Sequence, residues 1–166
     1  MYKKFAIDIE RILLEMEQVP HGEQVCVQGV KNQTDPFYSL YYDEEKKRKI
    51  GIGGLHTLNH TAEDFIYPLF NMPYVNSLME KFKMYRTRVI TLMPHTCYKY
   101  HTDVQKRLHI PVLTNDKCMF IIEDEVYRFP SDGNAYLIDT TRRHTAINAS
   151  NEKRTHIVGC VNENSN

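Results

Sequence analysis

The chain has 166 residues, 42% hydrophobic and 25% charged, a length and balance suited to one compact domain with a full core. Lys+Arg and Asp+Glu stand at 21 each, so the formal net charge is zero, which argues against a general nucleic-acid binder that holds phosphates by positive excess. No stretch reaches transmembrane length, the acid-interrupted N-terminus lacks the apolar run of a signal peptide, and Cys26, Cys97, Cys118 and Cys160 form no Cys-x-x-Cys pair; the expectation is a cytoplasmic protein with reduced thiols and no membrane partner.

Residues 3–17 carry a helical period, with Phe5, Ile9, Ile12, Leu13 and Met16 on one stripe. "VCVQGV" and "FYSLYY" read as short strands, and the charge run from Glu44 to Lys49 as a solvated hairpin tip. "GIGG" marks a turn with unusual backbone angles. Thr61 followed by Asp64 resembles a helix start, and Pro73 opens a second helix, "PYVNSLMEKFKM". From residue 85 the period changes to two. "YRTRVITLM", "RLHIPVL", "CMFIIED", "EVYRF", "NAYLID", "HTAIN" and "RTHIVGCV" follow, parted by Gly, Pro, Asn and Asp, and Asp124 predicts a tight hairpin. Many short strands at close spacing mean a β-sandwich or barrel. The expected plan is one domain over 1–166, a mixed N-terminal portion over 1–84 leading into an all-β portion over 85–161.

His101 and Asp103 are two apart, and on a strand such residues share a face. An imidazole nitrogen and a carboxylate oxygen there can meet one metal ion, although His-x-Asp alone is short enough to arise by chance. His144 opens a later strand, beyond two hairpins. Two histidines and a carboxylate can fill one face of an octahedral ferrous site and leave the rest open for cosubstrate and O2. Arg154, on the last strand, suits a two-pronged bond to a carboxylate, which the dicarboxylate 2-oxoglutarate requires.

With these residues in place, the segment over 88–161 resembles the Fe(II)/2-oxoglutarate-dependent oxygenases, and within them the aspartyl/asparaginyl β-hydroxylase family; "RLHIPV", "DGNAYLIDTTRRHTAIN" and "RTHIV" carry the likeness most strongly. The resemblance implies a double-stranded β-helix (jelly-roll, cupin-like) core behind N-terminal helices. It implies that His101, Asp103 and His144 hold Fe(II), that Arg154 binds the distal carboxylate of 2-oxoglutarate, and that Arg107 and His109 help hold the cosubstrate near the metal. The implied reaction is hydroxylation of a substrate C–H, with 2-oxoglutarate decarboxylated to succinate and CO2. Two differences from other members stand out. Asp103 occupies a position where some have glycine, and Ile90 stands where some have a serine that supports the distal carboxylate, so Arg154 needs another partner, a Tyr or a Thr.

Blander readings apply to the other polar residues. His56 and His60 suit a loop or substrate-side surface, His95 and His156 structural or rim positions, Asp139 a turn cap, and the cysteines core filling. Arg142 and Arg143 flank His144, either exposed or facing an acidic substrate group. Three functions are open: a hydroxylase of a side chain within a peptide or protein, a hydroxylase of a free amino acid such as proline, and a cupin-like metal- or sugar-binding module without turnover. "GIGGLHTLNH" and "FYSLYY" are candidates for a substrate wall, with packing of the first strands onto the barrel as their rival role.

Overall fold

The structure, a computed structural model, describes residues 2–38, 41–43, 48–50 and 60–162, with 41–43 and 48–50 described by backbone alone. It is mainly β, with two short helices and antiparallel sheets. The N-terminal segment is not one helix. Tyr2–Ala6 form strand β1, and helix α1 spans Ile9–Met16. Asp8 divides them: its carboxylate accepts from the Arg11 N–H at 3.2 Å, an N-cap that starts the helix two residues after the strand ends. Pairing of β1 with a strand far along the chain overrides the helical period of residues 3–6.

Strands β2 (Gln24–Cys26) and β3 (Gln28–Gly29) divide "VCVQGV". Strands β4 (Tyr41–Asp43) and β5 (Arg48–Ile50) form a separate antiparallel pair, and residues 44–47 and 51–59, which include the "GIGG" turn and His56, lie outside the described residues. Thr61 opens a single 3-10 turn with a reciprocal capping box to Asp64, and β6 (Tyr67–Pro68) pairs with β3. Helix α2 runs over Pro73–Lys81 with proline at its N-terminal end, three residues shorter than the apolar pattern predicts.

The remaining strands are β7 (Tyr85–Leu92), β8 (Thr96–Cys97), β9 (Lys106–Leu113), β10 (Cys118–Ile122), β11 (Glu125–Tyr127), β12 (Asn134–Ile138), β13 (His144–Asn148) and β14 (Arg154–Val161). They enter two sheets, ordered β1-β12-β9-β14-β7-β2 and β11-β10-β13-β8. From β7 to β10 each successive strand changes sheet; β10 and β11 close a hairpin over Glu123 and Asp124, and β12 to β14 alternate again. No strand pairing joins the two sheets among the described residues, so they do not close into a barrel.

Strand alternation divides the work of the six-stranded sheet. Val89, Leu108, Ile110, Ala135 and Ile157 point to one face, where they bury against Ile12 of α1 and Val75, Leu78 and Met79 of α2. Complete burial of one such side chain is worth roughly 1.5–3 kcal/mol. On the other face, Tyr136 and Ile138 meet Phe120, Ile122 and Ala146 of the four-stranded sheet. Gly159 is fixed by packing: a Cβ there would come within 2.5 Å of Met84 Cε and 2.7 Å of Thr87 Oγ1. Opposite it, β7 carries a bulge, since Val158 pairs with Arg88 but Cys160 with Tyr85, and Arg86 takes a positive φ of 49°. Neither helix, nor any other described segment, is a helix long and apolar enough to cross a membrane.

Candidate metal centre and ligand cavity

His101 and Asp103 do not lie on a regular strand. Both sit in the connection between β8 and β9. His101 is held by an isolated antiparallel bridge to His144, with N–H to carbonyl distances of 2.9 and 2.8 Å in the two directions. Residues opposed in this way project side chains together, and the two imidazole centroids are 4.4 Å apart. Asp103 is fixed by its own N–H, which donates to the Thr140 carbonyl at 2.9 Å.

The result is a cluster of three. One ligand atom from each of His101, Asp103 and His144 lies within 4.8 Å of the others, close enough to share one ion. His144 Nε2 is 3.7 Å from Asp103 Oδ2, and His101 Nε2 is 4.0 Å from Oδ1. Both rings are oriented from behind. Nδ1 of His101 lies 2.6 Å from the Lys99 carbonyl, and Nδ1 of His144 lies 2.9 Å from the Arg142 carbonyl. A carbonyl only accepts, so each Nδ1 carries a proton, and in the neutral tautomer that this selects Nε2 is the atom with a lone pair. Burial holds His144 below the ordinary histidine range, with its hydrogen bond to the Arg142 carbonyl and the Asp103 charge opposing the shift, and Phe120 stacks on the ring at 5.3 Å. The Arg107 guanidinium donates to Asp103 Oδ1 at 2.8 Å, leaving Oδ2 directed to His144.

The cluster lies on a cavity of about 710 Å³ between the sheets. Its wall includes Arg86, Arg88, Ile90, Arg107, His109, Phe120, Ala146, Arg154 and Val158, with Gln24, Tyr98 and Lys99 at its sides. Asp103 is the one acidic group among the described lining residues, against four arginines and a lysine. Arg154 is 4% exposed and burial lowers its pKa to about 10, so it stays charged at neutral pH. Tyr98 lies in electrostatic contact with it, but the side chain that hydrogen-bonds it is a histidine. Nη2 lies 3.2 Å from His156 Nδ1, and His156 is fully buried with its pKa pushed well below the ordinary range, first by burial and then by Arg154. In the strand register His156 is directly opposite Ile90.

The model of the aspartyl/asparaginyl beta-hydroxylase family matches residues 59–162, more than half of the chain. The chain belongs to that family. Comparison with curated proteins gives no match.

As an aspartyl/asparaginyl β-hydroxylase family member, the chain brings His101, Asp103, His144, Arg107, His109 and Arg154 to one cavity. The donor set suits a ferrous ion: two imidazoles and a carboxylate, all oriented by hydrogen bonds. The cavity also suits a dicarboxylate. Arg107 Nε, His109 Nδ1 and His156 Nε2 are buried without hydrogen-bond partners among the described residues, and Arg154 has only a neutral partner there. His109 is kept neutral by burial and the surrounding arginines.

The other polar residues divide as follows. Asp139 caps a turn through Thr141, Arg142 pairs with Glu123, and Arg143 lies over the Tyr100 ring at 4.9 Å. His60 pairs with Asp64 at 3.6 Å, and His95 bonds Asn151 at 2.8 Å. Cys26, Cys118 and Cys160 are buried, but Cys97 is exposed and fills no core. The sequence reading passed over Arg86, Arg88 and Gln24. A signal was available: in "YRTRVI" the alternate positions of a strand are charged, then Ile90, which marks a face lining something other than a dry core.

Proposed function

We propose that this protein is an Fe(II)- and 2-oxoglutarate-dependent hydroxylase acting on an amino-acid side chain within a peptide or protein. Its catalytic core would be a double-stranded β-helix over residues 85–161, with 1–84 packed on it as part of a single domain. The observation that carries this reading is the convergence of His101, Asp103 and His144 at the wall of a cavity that also exposes Arg154. When bound, the iron and 2-oxoglutarate supply the oxidising power to activate O2 and put one oxygen atom into a substrate C–H bond, with succinate and CO2 as the other products.

The chain's own groups have distinct tasks. The Lys99 and Arg142 carbonyls hold the imidazole protons at Nδ1, so Nε2 of His101 and of His144 is free to ligate without losing a proton. Arg107 fixes the Asp103 carboxylate against rotation, and its remaining donors with His109 suit the near end of the cosubstrate. Arg154 takes the far carboxylate in its fork, positioned by His156. Phe120, Ala146 and Val158 make the apolar wall that limits water around the reacting groups.

The test is succinate formation by the purified chain with Fe(II), 2-oxoglutarate and a library of short peptides, beside a panel of free amino acids. Iron-dependent succinate stimulated by a peptide supports the reading. Stimulation by free amino acids alone would move the substrate to the second class, and absence of succinate with retained metal binding would leave a cupin-like binding module.

A further inference from the structure

The two imidazoles are aimed by carbonyls of the loops that carry them. Nδ1 of His101 bonds the Lys99 carbonyl and Nδ1 of His144 bonds the Arg142 carbonyl, so the direction of each Nε2 depends on where the peptide planes 99–100 and 142–143 are held. His101 lies in an irregular connection, where its one strand-like contact among the described residues is the bridge to His144. Toward the sheet, that bridge and the bond from Thr145 Oγ1 to the Tyr98 carbonyl, 2.7 Å long, join the two segments. Away from it, they are joined through the loop between β10 and β11.

Glu123 opens that loop, and its N–H, its carbonyl and its carboxylate are all engaged by the two ligand-bearing segments. Its N–H donates to the Arg143 carbonyl at 2.8 Å, which carries the β10–β13 pairing one bond past His144. Its carbonyl accepts from the Tyr100 hydroxyl. Its carboxylate accepts from Arg142 Nη2. The Arg143 guanidinium completes the circuit by lying over the Tyr100 ring at 4.9 Å. Glu123 holds this place with a positive φ of 52°, an uncommon conformation for glutamate. The side chains of Tyr100, Arg142 and Glu123 are all well exposed, and exposed pairs of this kind add little to folding. What they restrict is the rocking of two peptide planes, and a ligand held in its productive direction before the ion arrives binds that ion more tightly.

On the metal-centre reading above, we propose that Glu123 is a positioning residue for the metal: through Tyr100 and Arg142 it clamps the peptide planes that aim His101 and His144, and so sets the affinity of the centre and its ligand angles. None of the three touches the ion; each acts through a carbonyl that holds an imidazole.

The metal-free full chain is titrated with Co(II), whose visible spectrum reports ligand geometry, and Mn(II) affinity is measured by equilibrium dialysis. Partners that orient a metal ligand directly carry about 10- to 100-fold in affinity, and these groups act one bond further out. Tyr100→Phe removes one hydroxyl and keeps the ring beneath Arg143; it lowers both affinities about 3- to 10-fold, and Arg142→Gln does the same. Each variant alters the Co(II) spectrum at saturating metal. Exchanging the ion pair, Arg142→Glu together with Glu123→Arg, recovers affinity lost in Arg142→Glu alone. The urea midpoint of the metal-free variants stays at the wild-type value, as expected for exposed pairs. Tyr100→Phe is the mildest change and carries the test alone if circular dichroism shows the Arg142 variants unfolded. Affinities within about twofold of wild type, an unchanged Co(II) spectrum, no recovery in a folded exchanged pair, or a loss that follows a lowered urea midpoint overturns the inference. A wild-type chain that binds no Co(II), or binds it equally after His101→Ala, sinks the functional reading itself, and this inference with it.

Discussion

His156→Leu is the sharpest test of how the cavity holds an anion at its far end. The side chain is fully buried, and its Nδ1 is 3.2 Å from Arg154 Nη2. Burial keeps the ring neutral, so Nδ1 is an acceptor and the ring proton sits on Nε2. Leucine has a similar volume, so the packing loss is small and the lost acceptor dominates. A hydrogen bond to a charged group is worth about 1.5–3 kcal/mol. If that bond fixes the fork that 2-oxoglutarate uses, the affinity for 2-oxoglutarate falls about 10- to 100-fold. The assay is calorimetric titration of 2-oxoglutarate into the Mn(II)-loaded protein, with Mn(II) affinity measured separately and His156→Asn as the conservative control that keeps an acceptor. The expected pattern is a large loss with leucine, partial rescue with asparagine and unchanged metal affinity. A 2-oxoglutarate affinity within about twofold of wild type, or an equal fall in metal affinity, refutes the positioning role.

Arg154→Lys keeps the charge but loses the fork, so 2-oxoglutarate binding weakens while metal binding holds; equal loss of both, read in the same titrations, marks Arg154 as structural. His101→Ala removes one of two imidazole donors and is expected to abolish iron-dependent succinate formation, with metal affinity by equilibrium dialysis as the direct check. Stability is expected to fall with acid. His109 and His156 have folded-state pKa values depressed well below 6.5, so their contribution is complete above that pH and is lost as pH drops below it, when the unfolded chain takes up protons that the folded chain refuses. The slope is up to about 1.4 kcal/mol per pH unit for each histidine, measurable by urea unfolding between pH 7.5 and 5, and a flat profile contradicts it. Gly159→Ala drives a methyl into Met84 and Thr87 and costs about 1–3 kcal/mol, seen as a lower urea midpoint; an unchanged midpoint would mean that β7 and β14 yield easily there.

Much of the β half is visible in the sequence because each of its strands has two faces with different tasks. "RLHIPVL" alternates Arg107 and His109 toward the cavity with Leu108 and Ile110 toward the helices, and the period survives in the structure. Glu123 and Asp124 close the hairpin where Asp124 places it. The His101–Asp103 pair was legible for another reason than the one that operates. A shared strand face predicts convergence, but the chain is irregular there, and convergence comes from a bridge to His144 and a bond to Thr140, partners about forty residues away. Pairing over that distance leaves no local trace. The same holds for β1. Residues 3–6 fit a helix stripe in isolation, and only β12 makes them a strand. Asp8 was a readable helix start, three residues before the N–H it caps. His156 as partner of Arg154 was missed because its place in the sequence suits a structural or rim position, and the expectation for Arg154 was a hydroxyl.

The β1–β12 pairing has a consequence for how the chain is made. Lys4 leaves the ribosome more than a hundred residues ahead of its register partner Tyr136. Until Tyr136 emerges β1 has no template, and folding must close a loop of more than a hundred residues, a topology that favours slow assembly. Until β1 docks, the finished β12 would present a bare edge beside β9, rich in Ala135, Tyr136, Leu137 and Ile138. Such an edge recruits strands from other copies. Shortening the chain by its first strand should therefore appear first as aggregation during expression, before any change in chemistry at a cavity whose lining includes no residue of β1.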